Sequence, residues 1–158
     1  MIGEDFDRRC TATRSWGFGE EVRRRLLLGT HVLRSGAAYY ERATRVQTLI
    51  VRDYAAVFER CDLLASPTTR LPGFRLGERV HDPVAMYLSD IFVVGANLAG
   101  LPAISVPAGF AAATTARPRL PVGLHLVAPL LGEPTLLRAA AAHEARAAWH
   151  FEAPPGAA

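Results

Sequence analysis

No lysine occurs anywhere in the 158 residues, so all 18 basic positions are arginine. Any mechanism that uses a lysine as base, as Schiff-base amine or as the phosphate-gripping residue of a Walker loop is therefore excluded from this chain. Cysteine is almost as scarce. Cys10 and Cys61 lie far apart, match no metal-ligand spacing, and sit in a chain long enough to need no disulfide staple, so reduced thiols in a cytosolic setting are the simplest expectation. No unbroken apolar run approaches the ~20 residues that a membrane helix needs, and no membrane association is expected. Met1 to Arg9 lacks the apolar stretch of a secretory signal. It reads instead as a sequence entered midway through a loop that extends to about residue 16.

What is present is a globular composition. Half of the residues are hydrophobic, 21% are charged and the mean hydropathy is +0.13, which is too apolar for intrinsic disorder. The length suits one domain, able to bury roughly 70% of the surface that its extended chain exposes. The net charge is +3 and the isoelectric point is near 9.3, but the arginines recur along almost the whole chain. Arg23, Arg24 and Arg25 form the only run of three and have no interleaved aromatics, so no direct nucleic-acid binding is expected.

Hydrophobic periodicity divides the chain into alternating helices and strands. A helix is expected at about 20–34, with Val22, Leu26 and Leu33 on one side, and Gly36 breaks it. A second, at about 38–60, carries a wide stripe of Val46, Leu49, Ile50, Tyr54, Val57 and Phe58. The short apolar segment Asp62 to Ser66, stopped by Pro67, reads as a buried strand. Asp82-Pro83 has the chemistry of a helix start, and one continuous helix should run to about Asn97. Its inner face would comprise Val84, Tyr87, Leu88, Ile91, Val94 and Leu98. Ala103 to Val106 and Val122 to Val127 read as further strands, and a last helix at about 133–149 precedes a fraying tail at about 150–158. With no repeat and no evident linker, the class is α/β in one piece, residues 1–158.

Few residues offer chemistry on spacing alone. Asp90 falls one turn after Met86 and one before Val94, beside the apolar stripe, so its carboxylate should look into a semi-buried space, with Asn97 on the same side. A carboxylate there needs a cation or several donors; a ligand pocket supplies them in some proteins and a structural ion pair more commonly. Arg25 falls on the flank of its helix's inner face, where a planar guanidinium suits a carboxylate, although a snorkelling surface arginine has the same spacing. His31, His81, His125, His143 and His150 show no metal-ligand spacing, and no metal or cofactor is expected. Ser66 and Ser105 have no Gly-x-Ser-x-Gly elbow around them. The segments Pro67-Thr68-Thr69 and Ser105-Val106-Pro107-Ala108-Gly109 each follow a strand, where an α/β crevice meets its ligand.

Successive blocks of the sequence nevertheless carry a pattern. They are Gly17-Phe18-Gly19-Glu20-Glu21-Val22-Arg23-Arg24-Arg25 to Gly29-Thr30, Gln47-Thr48-Leu49-Ile50, and Ser66-Pro67-Thr68-Thr69. Then come Asp82-Pro83 with Met86-Tyr87-Leu88-Ser89-Asp90, Asn97 to Pro102, Ser105-Val106-Pro107, and Leu120 to Leu124. In this order, over nearly the whole chain, they resemble the carboxy-terminal half of the amidase signature family, and within it the glutamine-hydrolysing amidotransferase subunits. That resemblance implies the carboxy-terminal portion of an α/β/α fold with a mixed sheet. It implies that Arg25 holds the α-carboxylate of a glutamine substrate and that Asp90 holds its α-ammonium.

The family's Ser, cis-Ser and Lys set belongs to its amino-terminal half, so this chain would supply one wall of a glutamine pocket and no catalytic residue. The implied partners are that missing half and the other amidotransferase subunits, and the chain alone should be inactive. A general amidase portion, or a non-catalytic interaction module that keeps the fold, are the competing readings. Departures from the pattern are His125, where the family usually has glutamine, Ala108, where many amidotransferases have cysteine, and a shortened stretch from Ser35 to Tyr40.

Overall fold

The computed structural model describes residues 2–79, 82–114 and 118–152. The segment expected as an entry loop is helical: α1 spans Ile2–Ala12, and a π-type turn continues over Thr13–Gly17. The cause is local. No proline or glycine interrupts residues 4–16, and Asp5 and Arg9 pair at 2.7 Å across one helical turn. Helix α2 covers Glu20–Arg34, the range read from its periodicity, with Glu20 and Glu21 in its first turn and His31 and Arg34 in its last, each of the sign that favours the helix dipole. The Ser35 N–H closes the end onto the carbonyls of His31 and Val32. Gly36, at φ 95°, then turns the chain into α3 (Ala37–Phe58).

The chain divides into two units, 1–46 and 47–158, where the sequence suggested one piece. The first is built only of helices in its described residues, and neither α2 nor α3 buries a side chain fully. Val22, Leu26 and Leu33 are all exposed.

In the second unit, α3 presents Ile50, Tyr54 and Phe58 as a half-buried row at four-residue spacing, while Leu49 and Val57 remain exposed. The Tyr54 and Phe58 rings stack with centroids 6.3 Å apart. Three strands follow in the order β1-β3-β2: β1 is Leu64–Pro67, β2 is Ala103–Ala111 and β3 is Leu120–Val127. Both pairings are antiparallel.

The continuous helix expected from Asp82 to Asn97 is broken. Asp82 caps α4 (Pro83–Tyr87) by accepting the Ala85 N–H at 2.9 Å, as its sequence chemistry implies. A tight 3-10 turn then covers Leu88–Asp90, and α5 restarts only at Val94–Ala99. The run Ile91-Phe92-Val93-Val94-Gly95 explains the break, because β-branched residues and glycine are poor helix formers. The proposed inner face, Val84 to Leu98, is accordingly exposed at all six positions. The Gln47 side-chain amide ties α3 to the end of α5 by donating to the Leu98 carbonyl at 2.9 Å.

The core lies between the sheet and α6 (Glu133–Glu144). Leu126, Ala128 and Leu136 are buried at its centre, with Leu63, Ile104, Leu124 and Ala139 packed around them. Helix α6 ends before the expected residue 149, and a 3-10 turn over Ala148–Phe151 sets Trp149 edge-on to Phe110, so the tail is still ordered at its start; residues 153–158 lie outside the described residues. The fold class is α/β, as read from the sequence.

Candidate functional site

Arg25 belongs to the first unit and Asp90 to the second. Arg25 is exposed on α2, where its Nε donates to Glu21 Oε1 at 2.9 Å. The same carboxylate is gripped more completely by Arg24, whose Nε and Nη2 both donate to it at 2.7 Å. These hydrogen bonds, Arg24 first and then Arg25, hold the Glu21 carboxyl down at about 2. The guanidinium fork that the sequence offered to a ligand is thus already paired with a carboxylate one helical turn away, the ordinary local pairing of an exposed helix arginine.

Asp90 closes the 3-10 turn, its carbonyl accepting the Val93 N–H at 3.0 Å. Its side chain is exposed and not semi-buried. The one-turn spacing to Met86 and Val94 assumed an unbroken α-helix, and the tighter turn removes that alignment. Asn97 does not join Asp90 either; its Nδ2 donates to the Val93 carbonyl at 3.0 Å within its own helix.

A polar row crosses the sheet where apolar residues would be expected. The register sets Ser66 on β1 and Ser105 on β2 opposite His125 on β3. Ser66 Oγ and His125 Nδ1 are 3.4 Å apart, and burial pushes the imidazole below its ordinary pKa, so the ring is held neutral. Next to the row, Thr68 Oγ1 and Ser105 Oγ stand 2.5 Å apart over Gly123. A Cβ at that glycine would come within 2.5 Å of Thr68 Oγ1 and 2.7 Å of Ser105 Oγ, so the hydroxyl pair requires glycine there. The sequence singled out Ser66 and Ser105 but set Ser105 to Gly109 after a strand, whereas β2 runs on through them to Ala111, and it missed the convergence because antiparallel register is not visible in spacing. The signal was present in the alternation: 66, 105 and 125 are polar positions inside three apolar strands.

A second polar group escaped the sequence reading. The loop after β1 carries Phe74 and Arg79 to one side of α4, around a cavity of about 410 Å³ also lined by Asp82, Ala85, Leu88 and Ser89. The Arg79 guanidinium lies 4.3 Å from the Phe74 ring centroid, and its Nη1 donates to Ser89 Oγ at 2.5 Å. No triplet of His, Cys, Asp or Glu among the described residues is arranged to hold a metal ion, and His81 lies outside them. Cys10 and Cys61 are free thiols. Among the described residues, no helix is long and apolar enough to cross a membrane.

Comparison with known proteins places these features in context. The Amidase family model matches residues 2–137. The A subunit of glutamyl-tRNA(Gln) amidotransferase from Geobacter metallireducens is 49% identical over 142 residues, which are 89% of this chain and 28% of that protein. Its counterpart in Moorella thermoacetica is 49% identical over 154 residues, 96% of this chain and 30% of that protein. The one in Deinococcus radiodurans is 48% identical over 154 residues, 96% of this chain and 32% of its own length. The chain therefore spans about 30% of the curated relatives it matches. A bacterial aryl acylamidase of the amidase signature enzymes shares the fold, with a TM-score of 0.61 and 19% identity, over 84% of this chain and 27% of that one.

Proposed function

Because the chain belongs to the amidase family, we propose that it forms the carboxy-terminal part of a glutamine-hydrolysing amidase, of the type represented by the A subunit of glutamyl-tRNA(Gln) amidotransferase. The observation that supports this reading is near-half identity to those proteins along almost the whole chain. In this reading Arg25 takes the α-carboxylate of glutamine and Asp90 its α-ammonium. Both side chains are solvent-facing, and the carboxylate of glutamine would take the place that Glu21 holds on the Arg25 guanidinium.

Amide cleavage needs a nucleophile and a base to activate it, and a chain without lysine cannot supply the Ser, cis-Ser and Lys set. An amino-terminal amidase portion therefore provides those groups, and the other amidotransferase subunits are the expected cytoplasmic partners. That portion also accounts for the apolar side chains exposed along 84–98, which find no cover within the described residues.

The test is a ratio measured in a complete amidase domain containing this chain: kcat/KM for glutamine over kcat/KM for a simple aliphatic amide. Arg25→Lys keeps the charge and loses the fork, and Asp90→Asn keeps the shape and loses the charge. Each should cost about 2 to 4 kcal/mol in transition-state stabilisation with glutamine and leave the aliphatic amide nearly unaffected. An unchanged ratio in folded variants would point instead to a general amidase whose substrate carries neither charge.

A further inference from the structure

The turn that presents Asp90 is braced from outside by a residue that the glutamine reading does not use. The loop leading to it is closed by its own hydrogen bonds: the Glu78 N–H donates to the Arg75 carbonyl at 3.0 Å, and the Arg75 N–H to Glu78 Oε2 at 2.8 Å, with Gly77 at φ 81°. This turn delivers Arg79, half-buried, against α4. There the Arg79 carbonyl accepts the Asp82 N–H at 3.2 Å. Its side chain reaches past the helix start, and Nη1 donates to the Ala85 carbonyl at 3.3 Å and to Ser89 Oγ at 2.5 Å. Ser89 Oγ also donates to the Ala85 carbonyl at 3.1 Å, which makes a closed triangle of polar contacts. The Phe74 ring covers the guanidinium and restricts its movement. Ser89 is the residue before Asp90, in a turn where ordinary α-helical hydrogen bonding has lapsed. The Arg79 clamp replaces part of the lost restraint.

Resting on the assignment of Asp90 to the substrate ammonium, we propose that Arg79 is a positioning residue for amino-acid amides, acting through Ser89 to fix the Leu88–Asp90 turn. A guanidinium suits this task because it can donate to the Ala85 carbonyl and the Ser89 hydroxyl while lying flat on an aromatic ring. Arg79 touches no reacting atom, so its loss acts on substrates that use Asp90 and spares those that do not.

The test uses the complete amidase domain with glutamine and a neutral aliphatic amide. Arg79→Ala should raise KM for glutamine about tenfold with kcat little changed, and leave kcat/KM for the neutral amide as it was. Ser89→Ala, which removes the contact without emptying the arginine site, should act in the same direction and is informative even if Arg79→Ala does not fold. Arg79→Lys should recover part of the loss. In an Asp90→Asn background Arg79→Ala should have no further effect on the glutamine ratio, as expected of two residues acting as one unit.

Equal losses with both amides, or additive losses in the double variant, would reduce Arg79 to a fold-stabilising contact and overturn the proposal. If Asp90→Asn lowers the glutamine ratio and neither Arg79→Ala nor Ser89→Ala does, the proposal fails and the role of Asp90 stands. If Asp90→Asn itself leaves the ratio unchanged, both fall.

Discussion

Ser66 Oγ faces His125 Nδ1 across the β1–β3 pairing at 3.4 Å, and the imidazole, 4% exposed, has no charged partner among the described contacts. The ring is consequently neutral, with its pKa below the ordinary 6.5 because burial disfavours the cation. In the unfolded chain the same histidine binds its proton near that ordinary value. Below pH 6.5 the unfolded state therefore holds more protons than the folded one, and stability falls as pH falls until the folded pKa is passed.

Thermal melts of the chain followed by circular dichroism, at intervals from pH 7.5 down to 5, should show a declining Tm whose slope is reduced in His125→Gln. Glutamine keeps a hydrogen-bonding side chain of similar reach but cannot titrate. Parallel slopes for wild type and variant would show that the buried ring is not what acid acts upon.

The clasp of Arg24 and Arg25 on Glu21 responds to acid in a different range. The folded-state pKa of Glu21 is held at about 2 against an ordinary 4.5, so this pairing helps α2 above pH 4.5 and is lost as pH falls through about 2. NMR titration of the Glu21 side-chain carboxyl carbon should give a midpoint well below 4.5, moving upward in Arg24→Gln more than in Arg25→Gln, because Arg24 makes two of the contacts. A midpoint near 4.5 would mean that solvent and salt dissolve the clasp, the usual fate of exposed pairs.

The purified chain should show no glutaminase or amidase turnover, for want of any lysine to activate a nucleophile. It should also self-associate and bind an apolar dye, since Leu26, Leu33, Leu49, Ile91 and Leu98 are exposed and β1 and β2 are edge strands of the described sheet. Activity that survives further purification would contradict the first expectation. A sharp monomer peak in size-exclusion chromatography with no dye binding would contradict the second.

Much of this was legible in the sequence, for identifiable reasons. Helix α2 and the capping role of Asp82 follow from charges and side chains that act on their own backbone neighbours. All three strands were located by short apolar runs, although β1 includes Pro67 and is only half-buried, and β2 runs past Val106 to Ala111. What failed depended on neighbours distant in sequence or on competition between local preferences. The helix through Asp90 gave way to a β-branched run, and with it went the inference that Asp90 is semi-buried. The Ser66–His125–Ser105 row and the Arg79–Ser89 clamp depend on strand register and loop placement, neither of which has a period to read. Resemblance to a family supplied Arg25 and Asp90 as a pair, whereas spacing alone left each with an ordinary structural explanation.

Gly95 offers a test of packing in which the sign of the effect is the result. It lies within α5, where replacing glycine with alanine ordinarily stabilises a helix by about 1 kcal/mol. Here the added Cβ would stand 2.5 Å from Tyr54 Oη and 3.3 Å from its Cε2. The oxygen ends a rigid ring already stacked on Phe58, so it cannot move aside without disturbing that pair. Overpacking of this kind costs about 1 to 3 kcal/mol, enough to cancel or reverse the helical gain. Gly95→Ala should therefore lower the midpoint of urea unfolding. Tyr54→Phe removes the offending oxygen and leaves the next contacts at the 3.3 and 3.4 Å of the ring carbons, which small shifts can absorb. In that background Gly95→Ala should be neutral or stabilising, so the two substitutions are favourably coupled. If Gly95→Ala stabilises the wild-type chain, Tyr54 does not rest on α5 in solution, and the packing of α3 against α5 would have to be redrawn.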